Sequence, residues 1–337
     1  MAPLSKAITI ESSSFSGDDT SSHTGRIDPE WNVASIPNGG YVLALVVEAC
    51  IKHQARTPLR DPIHVTAHFL RTTAVSVFEI HVHTLRTGKN FTNVAADFKQ
   101  QNETKLTVHV IFGVLSSMDS ASDPRPTLAP PSPYARRIPL LTHPSELKAT
   151  HWTRRPLGYA SRIGVAEDPA IRQRNKEPTS CNYDAKELEW GAWFELAGAE
   201  EKITTPSIAF LADTFTSLPV LLAQQEPTGP YRTGNEWFPT LTLSIEFKFP
   251  IPTSQEYARR TVGVHARGRY INNPQGRHET VVEVWSAPTN IGEDYGQIPQ
   301  DWREKQRCLA VSSQMALIVP MALNLRKAER AATGSKL

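Results

Sequence analysis

Asp213 is a carboxylate in an otherwise apolar stretch, Phe210-Leu211-Ala212-Asp213, of a predicted helix that runs from Ile208 to Gln224. A carboxylate held beside a reacting group can take up a proton as a general base. Taken alone, the sequence around Asp213 more simply indicates a solvated helix residue or a cap to the next turn. Whether Asp213 does chemistry therefore depends on what the fold places beside it.

Two pairs of histidines alternate along predicted strands, His64 with His68 and His81 with His83, so each pair lies on one strand face. A metal site would need a third ligand and a group that orients the histidine rings, and no cysteine or carboxylate spacing supplies them. The chain also lacks a Gly-x-Ser-x-Gly elbow, a Walker loop and a Gly-x-Gly-x-x-Gly motif, which disfavours α/β-hydrolase and nucleotide-binding folds. We predict no metal and no cofactor.

The elements that would position these residues form a pattern that occurs twice, which is typical of a duplicated unit. In the first copy, Pro37-Asn38-Gly39-Gly40-Tyr41 opens a helix over 39–54 with an apolar stripe. That stripe follows the spacing of a buried helix face. Four strands are predicted after it, at Pro62–Phe69, Phe78–Arg86, Phe91–Lys99 and Lys105–Leu115. Short connections favour an antiparallel sheet packed on the helix.

The second copy begins with a strand at Trp190–Leu196 and continues with the helix at Ile208–Gln224, which Pro219 is expected to kink or split. Four strands follow, and an insertion rich in Gly, Pro, Asp and Gln (Pro288–Gln306) separates the last two. Their predicted bounds are Thr240–Phe249, Thr261–Tyr270, Glu279–Ala287 and Arg307–Val319. The predicted fold class is α+β.

The predicted organisation has four parts. Residues 1–116 form the N-terminal unit, 117–182 a proline-rich linker and connecting region, 183–325 the C-terminal unit, and 326–337 a flexible tail. Proline fixes the backbone and removes hydrogen-bond donors, so a proline-rich segment indicates extended linker structure.

Composition excludes several classes of function. The 337 residues carry a formal net charge of +2 with scattered lysines and arginines, which disfavours nucleic acid as a partner. No apolar run approaches the roughly 20 residues of a membrane-spanning helix, and the N-terminus does not resemble a signal peptide. Three cysteines stand far apart without CxxC spacing, which indicates free thiols in a reducing compartment: Cys50, Cys181 and Cys308.

The chain ends in Ser335-Lys336-Leu337, preceded by a polar segment and Gly334. A C-terminal Ser-Lys-Leu is the address that the peroxisomal import receptor binds. We therefore predict a peroxisomal location and this receptor as a partner.

Short motifs in both copies carry a family resemblance. They are, in chain order, Asn38-Gly39-Gly40-Tyr41, Phe69-Leu70-Arg71, Leu85-Arg86-Thr87-Gly88-Lys89-Asn90-Phe91, Leu211-Ala212-Asp213, Pro239-Thr240-Leu241 and Gln314. In these motifs, and in their order, the chain resembles the acyl-CoA thioesterase II family of the thioesterase-like, double-hotdog superfamily. The resemblance spans most of the chain outside the linker.

The resemblance implies a double hotdog, in which each of two antiparallel sheets wraps a central helix and the halves pack sheet to sheet. It also implies hydrolysis of an acyl-CoA substrate, without a covalent intermediate, at the seam between the halves. Asp213, Thr240 and Gln314 match the residues that hold and polarise the attacking water. Thr242, two residues further on and expected on the same strand face, is the other candidate hydroxyl. The N–H groups of Gly39 and Gly40 suit the thioester oxygen.

Two alternatives remain open from the sequence. A hotdog hydratase or dehydratase acting on acyl thioesters usually pairs an Asp with a nearby His, but the second helix contains no His. A non-catalytic acyl-CoA-binding accessory protein would bind coenzyme A thioesters without turnover. The acyl group and the oligomeric state are not predicted, although homo-oligomers are common in this superfamily.

Overall fold

The computed structural model describes residues 2–17, 19–115, 128, 132–152, 156–176, 188–225, 228, 231 and 233–326. Its helices are α1 (Leu4–Ala7), α2 (Gly39–Gln54), α3 (Pro169–Lys176), α4 (Thr205–Leu211), α5 (Leu218–Gln225) and α6 (Trp302–Lys305). The strands of the first half are β1 (Ser12–Ser16), β2 (Thr20–Arg26), β3 (Asn32–Val33), β4 (Ile36–Pro37), β5 (Asp61–Phe69), β6 (Val77–Thr87), β7 (Thr92–Gln100) and β8 (Glu103–Gly113).

The remaining strands are β9 (Ile163–Glu167), β10 (Leu188–Leu196), β11 (Glu236–Trp237), β12 (Thr240–Phe247), β13 (Thr261–Gly268), β14 (Ile271–Asn272), β15 (Arg277–Ser286), β16 (Cys308–Ala316) and β17 (Val319–Pro320). Strands from both halves form one large antiparallel sheet. Its order is β1-β2-β6-β7-β8-β5-β12-β16-β15-β13-β10-β9, and β14 pairs with β15. The protein thus combines a large antiparallel sheet with few helices.

The two halves are joined strand to strand. In the middle of the sheet, β5 of the first half pairs antiparallel with β12 of the second, with Ala67 opposite Leu243 and Val65 opposite Ile245. The sequence led us to expect two sheets packed on each other. That expectation is wrong, because main-chain pairing between β5 and β12 makes the two sheets continuous.

Helix α2 has the predicted bounds and packs against β2, β5, β6, β7 and β8. Its side chains are buried over most of its circumference, with Tyr41, Leu43 and Val46 fully inaccessible. Since a helix that is apolar all round must be buried, α2 lies in the core of the first half. Helix α4 contributes to the same apolar cluster and packs directly on α2.

The second predicted helix is two helices. α4 ends at Leu211, the chain turns over 212–217, and α5 begins at Leu218. Pro219 lies in the first turn of α5, where a missing N–H costs nothing. The break therefore precedes the proline instead of occurring at it.

The connecting region after the linker covers the outer face of the second half. Ile138 and Leu140 pack with Trp193 and Trp285 of the sheet in a second apolar cluster. At Gly263, a Cβ would lie 2.9 Å from Ile138 Cδ1, so the absence of a side chain lets the segment lie directly on the strand. This region also contributes β9 and α3.

Candidate active site

Asp213 lies in the turn that follows α4, two residues beyond the end of the helix, and not on the helix as predicted. Its N–H still donates to the Phe210 carbonyl at 3.1 Å. The Thr214 hydroxyl donates to the same carbonyl at 2.7 Å, which satisfies the carbonyl group where the helix ends. This local geometry turns the Asp213 carboxylate away from α4 and toward the N-terminus of α2.

The first half of the chain holds this carboxylate. The Gly40 N–H donates to Asp213 Oδ2 at 2.7 Å, as expected for an anion at a helix N-terminus. A Cβ at Gly40 would lie 2.6 Å from Asp213 Cβ and 3.0 Å from Phe210 Cα. Only glycine allows the two helix ends to approach so closely.

Asn38 is the N-cap of α2, and its side-chain oxygen accepts the Tyr41 N–H at 2.9 Å. With that N–H and the Gly40 N–H engaged, the Gly39 N–H has no hydrogen-bond partner among the described residues. Gly39 lines the same cavity as Asp213. The structure thus leaves a main-chain donor of the helix terminus at the site.

Thr240 and Gln314 meet Asp213 from the sheet. The Thr240 Oγ1 atom lies 3.2 Å from Asp213 Oδ1 and 3.1 Å from Gln314 Oε1. One hydroxyl hydrogen cannot serve two acceptors fully. When the Gln314 amide turns its NH₂ end to the hydroxyl, a continuous chain forms in which Gln314 donates to Thr240 and Thr240 donates to Asp213.

A β-bulge brings Thr240 onto this face of the sheet. Thr240 is opposite Ala316 while Thr242 is opposite Met315, so two positions of β12 span one of β16. An extra residue in one strand reverses the side-chain alternation beyond it. Thr240 therefore shares a face with Ala316 and Gln314, because these two residues are two positions apart on β16.

Thr242 does not join this group. It pairs with His68 and Met315 and lines a second cavity of about 520 Å³ rather than the one around Asp213. The expectation that Thr240 and Thr242 share a strand face is wrong, since it assumed regular alternation across Leu241.

Burial dominates the acidity of Asp213. Desolvation raises the pKa of this carboxyl from 3.8 to about 6, and the hydrogen bonds from Gly40 and Thr240 oppose the rise. A carboxylate with a pKa near neutrality is suited to accept a proton from water and to return it.

The cavity at this site has a volume of about 1280 Å³. Both halves line it, with Gly39 and Phe69 from the first half and Asp213, Thr240 and Gln314 from the second. Further walls are aromatic and come from the connecting region, the turn after α4 and the segment before β12: Trp152, Tyr159, Phe215, Trp237 and Phe238. A cavity of this kind accommodates a large, partly apolar ligand.

Sequence reasoning missed two residues of this site. Tyr159, in the connecting region, stacks on Trp31 with ring centroids 5.5 Å apart, and its hydroxyl accepts from Asn38 Nδ2 at 3.4 Å. His278 lines the cavity from β15. Its inward position could have been read from the strand alternation with Thr280 and Val282.

Other chemistry is not supported in the described part of the chain. Burial raises the pKa of both Cys50 and Cys308 to about 12, so neither is a thiolate nucleophile. No group of three His, Cys, Asp or Glu side chains there could hold a metal ion. Cys181 lies outside the described residues. Among the helices that are described, none has the length and apolar character needed to cross a membrane.

A buried polar cluster lies elsewhere in the first half. The Ser21 hydroxyl is 2.8 Å from His23 Nε2 and 2.8 Å from His53 Nδ1. His53 Nε2 lies 3.0 Å from the Thr84 hydroxyl. Since His23 is fully inaccessible and the cluster does not line the cavity, it ties β2 to α2 and β6.

Comparisons with known proteins follow the same division into halves. A model of the acyl-CoA thioesterase N-terminal domain matches residues 27–113, and a model of the C-terminal domain matches residues 139–289. The chain belongs to this acyl-CoA thioesterase family. A search of curated protein sequences found no match.

Several solved structures share the fold. A candidate thioesterase II from Thermobifida fusca is 16% identical with a TM-score of 0.63, covering 95% of this chain and 98% of that one. A hot dog fold protein from Alicyclobacillus acidocaldarius is 18% identical with a TM-score of 0.62 (94% and 97%). An acyl-CoA thioesterase II from Mycobacterium marinum is 12% identical with a TM-score of 0.58 (94% and 98%). These similarities show a hot dog fold.

Proposed function

We propose that the protein hydrolyses an acyl-CoA thioester to a free carboxylic acid and coenzyme A. The observation that carries this proposal is the hydrogen-bonded group of Asp213, Thr240 and Gln314 at the wall of a large cavity. Membership of the thioesterase family supports the reaction type.

In the proposed mechanism, Asp213 and the amide of Gln314 hold a water against the thioester carbonyl. The water oxygen forms a bond to the carbonyl carbon while Asp213 takes one of its protons. The negative charge that develops on the carbonyl oxygen is met by the Gly39 N–H at the positive end of α2. The C–S bond then breaks, and the thiolate of coenzyme A receives the proton from Asp213.

Thr240 has a positioning role in this scheme. Its hydroxyl contacts both Asp213 and Gln314, so it fixes the carboxylate and the amide relative to each other. Correct geometry of this kind can contribute strongly to the rate. The bulge at Leu241 favours Thr240 over Thr242 as this hydroxyl.

The fold we propose is a double hotdog whose two sheets join through β5 and β12, with α2 as the central helix of the first half and α4–α5 as that of the second. The burial of α2 among five strands and the hot dog fold of the related structures support this interpretation. The four-part division of the chain, with boundaries at 116, 182 and 325, stays a prediction.

The test of the reaction is thiol release from acyl-CoAs of short to long chain length. Asp213→Asn and Gln314→Ala would be compared with Asp97→Asn, a change on the outer face of the first half. We expect turnover to be lost in the first two variants and kept in the third. Binding without turnover in the unmodified protein would favour the accessory-protein alternative.

We also propose that the protein is imported into peroxisomes through Ser335-Lys336-Leu337, which lies outside the described residues. The motif itself supports this proposal. A fluorescent protein fused to the N-terminus should co-localise with a peroxisomal marker. Deleting the last three residues should leave the same fusion outside the organelle.

A further inference from the structure

His278 is a buried titratable side chain at the active-site cavity that the proposed mechanism does not use. It is 3% exposed, is the second residue of β15, and lines both this cavity and the second, smaller one. It pairs with Ala316 of β16, which in turn pairs with Thr240 of β12. With strands about 4.8 Å apart, its Cα lies about 10 Å from that of Thr240.

The structure fixes the tautomer of this ring. His278 Nδ1 lies 2.8 Å from the Gly276 carbonyl oxygen, and a carbonyl can only accept, so Nδ1 carries the hydrogen. Gly276 has φ +55°, and a Cβ there would be 2.4 Å from Ile318 Cδ1. This conformation favours glycine and holds the carbonyl in place.

The other ring nitrogen, Nε2, has no protein partner in the part of the chain that the structure describes. Burial lowers the pKa of His278, and the hydrogen bond to Gly276 opposes that change only in part, so the ring is neutral near pH 7. Nε2 then has a free lone pair. It has no hydrogen-bond partner among the described residues. It is also not one of the solvent-inaccessible side-chain atoms there that lack a partner, so it keeps some access to solvent.

The tautomer and the free lone pair of Nε2 determine whether His278 can donate a proton or accept a hydrogen bond. Without a hydrogen, Nε2 cannot donate a proton to a departing thiolate. It can accept a hydrogen bond, and a ligand that displaces water from it without supplying a donor would incur the cost of a buried unpaired acceptor. The ligand must therefore carry an N–H or O–H at this position.

We propose that His278 Nε2 accepts a hydrogen bond from an amide N–H of the pantetheine arm of the acyl-CoA substrate. This inference rests on the proposed function. A simple acyl chain has neither an N–H nor an O–H, so the donor comes from the coenzyme side of the thioester. Phe238 also lines the cavity and packs edge-on against the His278 ring, with centroids 6.0 Å apart, so it provides an apolar wall for the same arm.

The experiment compares two substrates with the same acyl group, the acyl-CoA and the corresponding ethyl thioester, which has no amide. His278→Phe should lower kcat/KM for the acyl-CoA about 3- to 100-fold, mainly through KM, as the loss of a buried hydrogen bond implies. The loss for the ethyl thioester should be at least threefold smaller. His278→Gln, whose side-chain oxygen can accept, should recover part of the difference.

Two outcomes would overturn the inference. An equal loss with both substrates would place His278 in the chemical step or show that the cavity had changed shape. No loss with the acyl-CoA would mean that no substrate donor reaches Nε2. His81→Phe, on the exposed face of β6, serves as the matched control, with thermal unfolding measured for every variant.

Failure of the proposed function would be seen separately. If the unmodified protein hydrolyses neither thioester, the dissociation constant of a non-hydrolysable acyl-CoA thioether is measured for the protein and for His278→Phe. Weaker binding in the variant supports the role of His278 without catalysis, and equal binding refutes it.

Discussion

The main-chain N–H of Gly40 donates to Asp213 Oδ2 at 2.7 Å, across 173 positions of sequence and across the boundary between the two halves. The same glycine has no room for a side chain, because Asp213 and Phe210 pack against its Cα. The position of the proposed base is therefore determined by a residue of the other half.

Replacing Gly40 by alanine should separate the ends of α2 and α4. The new Cβ would lie 2.6 Å from Asp213 Cβ, and relieving such overpacking typically costs about 1–3 kcal/mol. We expect a lower free energy of unfolding in urea and a loss of thiol release well beyond the loss in stability. Gly234→Ala is the matched control for the free energy of unfolding, because nothing lies within 4 Å of a Cβ there. Unchanged stability of Gly40→Ala would show that the helix ends can move apart freely.

The rate should depend on the ionisation of Asp213. The carboxylate must be deprotonated to accept a proton, and burial raises its pKa to about 6. We expect kcat/KM to be constant at higher pH and to fall about tenfold per pH unit below pH 6. A thiol-release assay from pH 4.5 to 8.5 measures this profile. A midpoint near pH 4 would contradict the desolvation of Asp213.

The same carboxylate should destabilise the fold when it ionises. Its pKa is about 6 in the folded protein against 3.8 as the ordinary value, so its stabilising contribution is complete below pH 3.8 and is lost as the pH rises through 6. At pH 7.5 the free energy of unfolding of Asp213→Asn should therefore exceed that of the unmodified protein by up to about 3 kcal/mol. The difference should vanish near pH 4, and urea unfolding at both pH values checks it.

Thr240 and Thr242 should respond differently to the loss of their hydroxyl groups. Thr240→Val removes the contact to Asp213 and Gln314 and should lower kcat by about 10- to 100-fold, as expected for a group that fixes catalytic geometry. Thr242→Val is the control, since that side chain lies on the other side of the bulge, and should remain within about twofold, consistent with an ordinary surface change. The reverse order of effects would reassign the hydroxyl.

The buried Ser21–His23–His53 cluster should make the first half sensitive to acid. Desolvation and the neighbouring His53 and Lys52 lower the pKa of His23 from 6.5 to about 4. The unfolded chain then binds a proton at a higher pH than the folded one, so this contribution to stability is present above pH 6.5 and is lost toward pH 4. Between pH 7 and pH 5, the free energy of unfolding of the unmodified protein should fall by roughly 1–3 kcal/mol more than that of His23→Gln. His81→Gln is the exposed control; equal slopes in all three proteins would remove His23 as the cause.

The local elements of the fold could be predicted from the sequence, but their connections could not. The bounds of α2 and the strands that follow it agree to within about two residues, because apolar periodicity reports burial directly. The hairpin of β1 and β2 was missed, since Ser12–Ser16 is exposed along its whole length and has no alternating pattern. The pairing of β5 with β12 is a long-range contact that no local pattern encodes.

The candidate site shows the same limit. Asp213, Thr240 and Gln314 were identified by resemblance, and the structure brings them together. The faces of Thr240 and Thr242 were misjudged because the bulge is a property of how β12 pairs with β16, not of β12 alone. His278 was missed because its meaning depends on the carbonyl of Gly276 and on a cavity wall.

Because the Gly40 N–H and the Asp213 carboxylate belong to different halves of the chain, neither half alone contains the complete candidate site. Substitutions around α2, which contributes none of the Asp213, Thr240 and Gln314 side chains, can therefore disturb that site from the other half. Expressed separately, either half would lack part of this hydrogen-bonded arrangement.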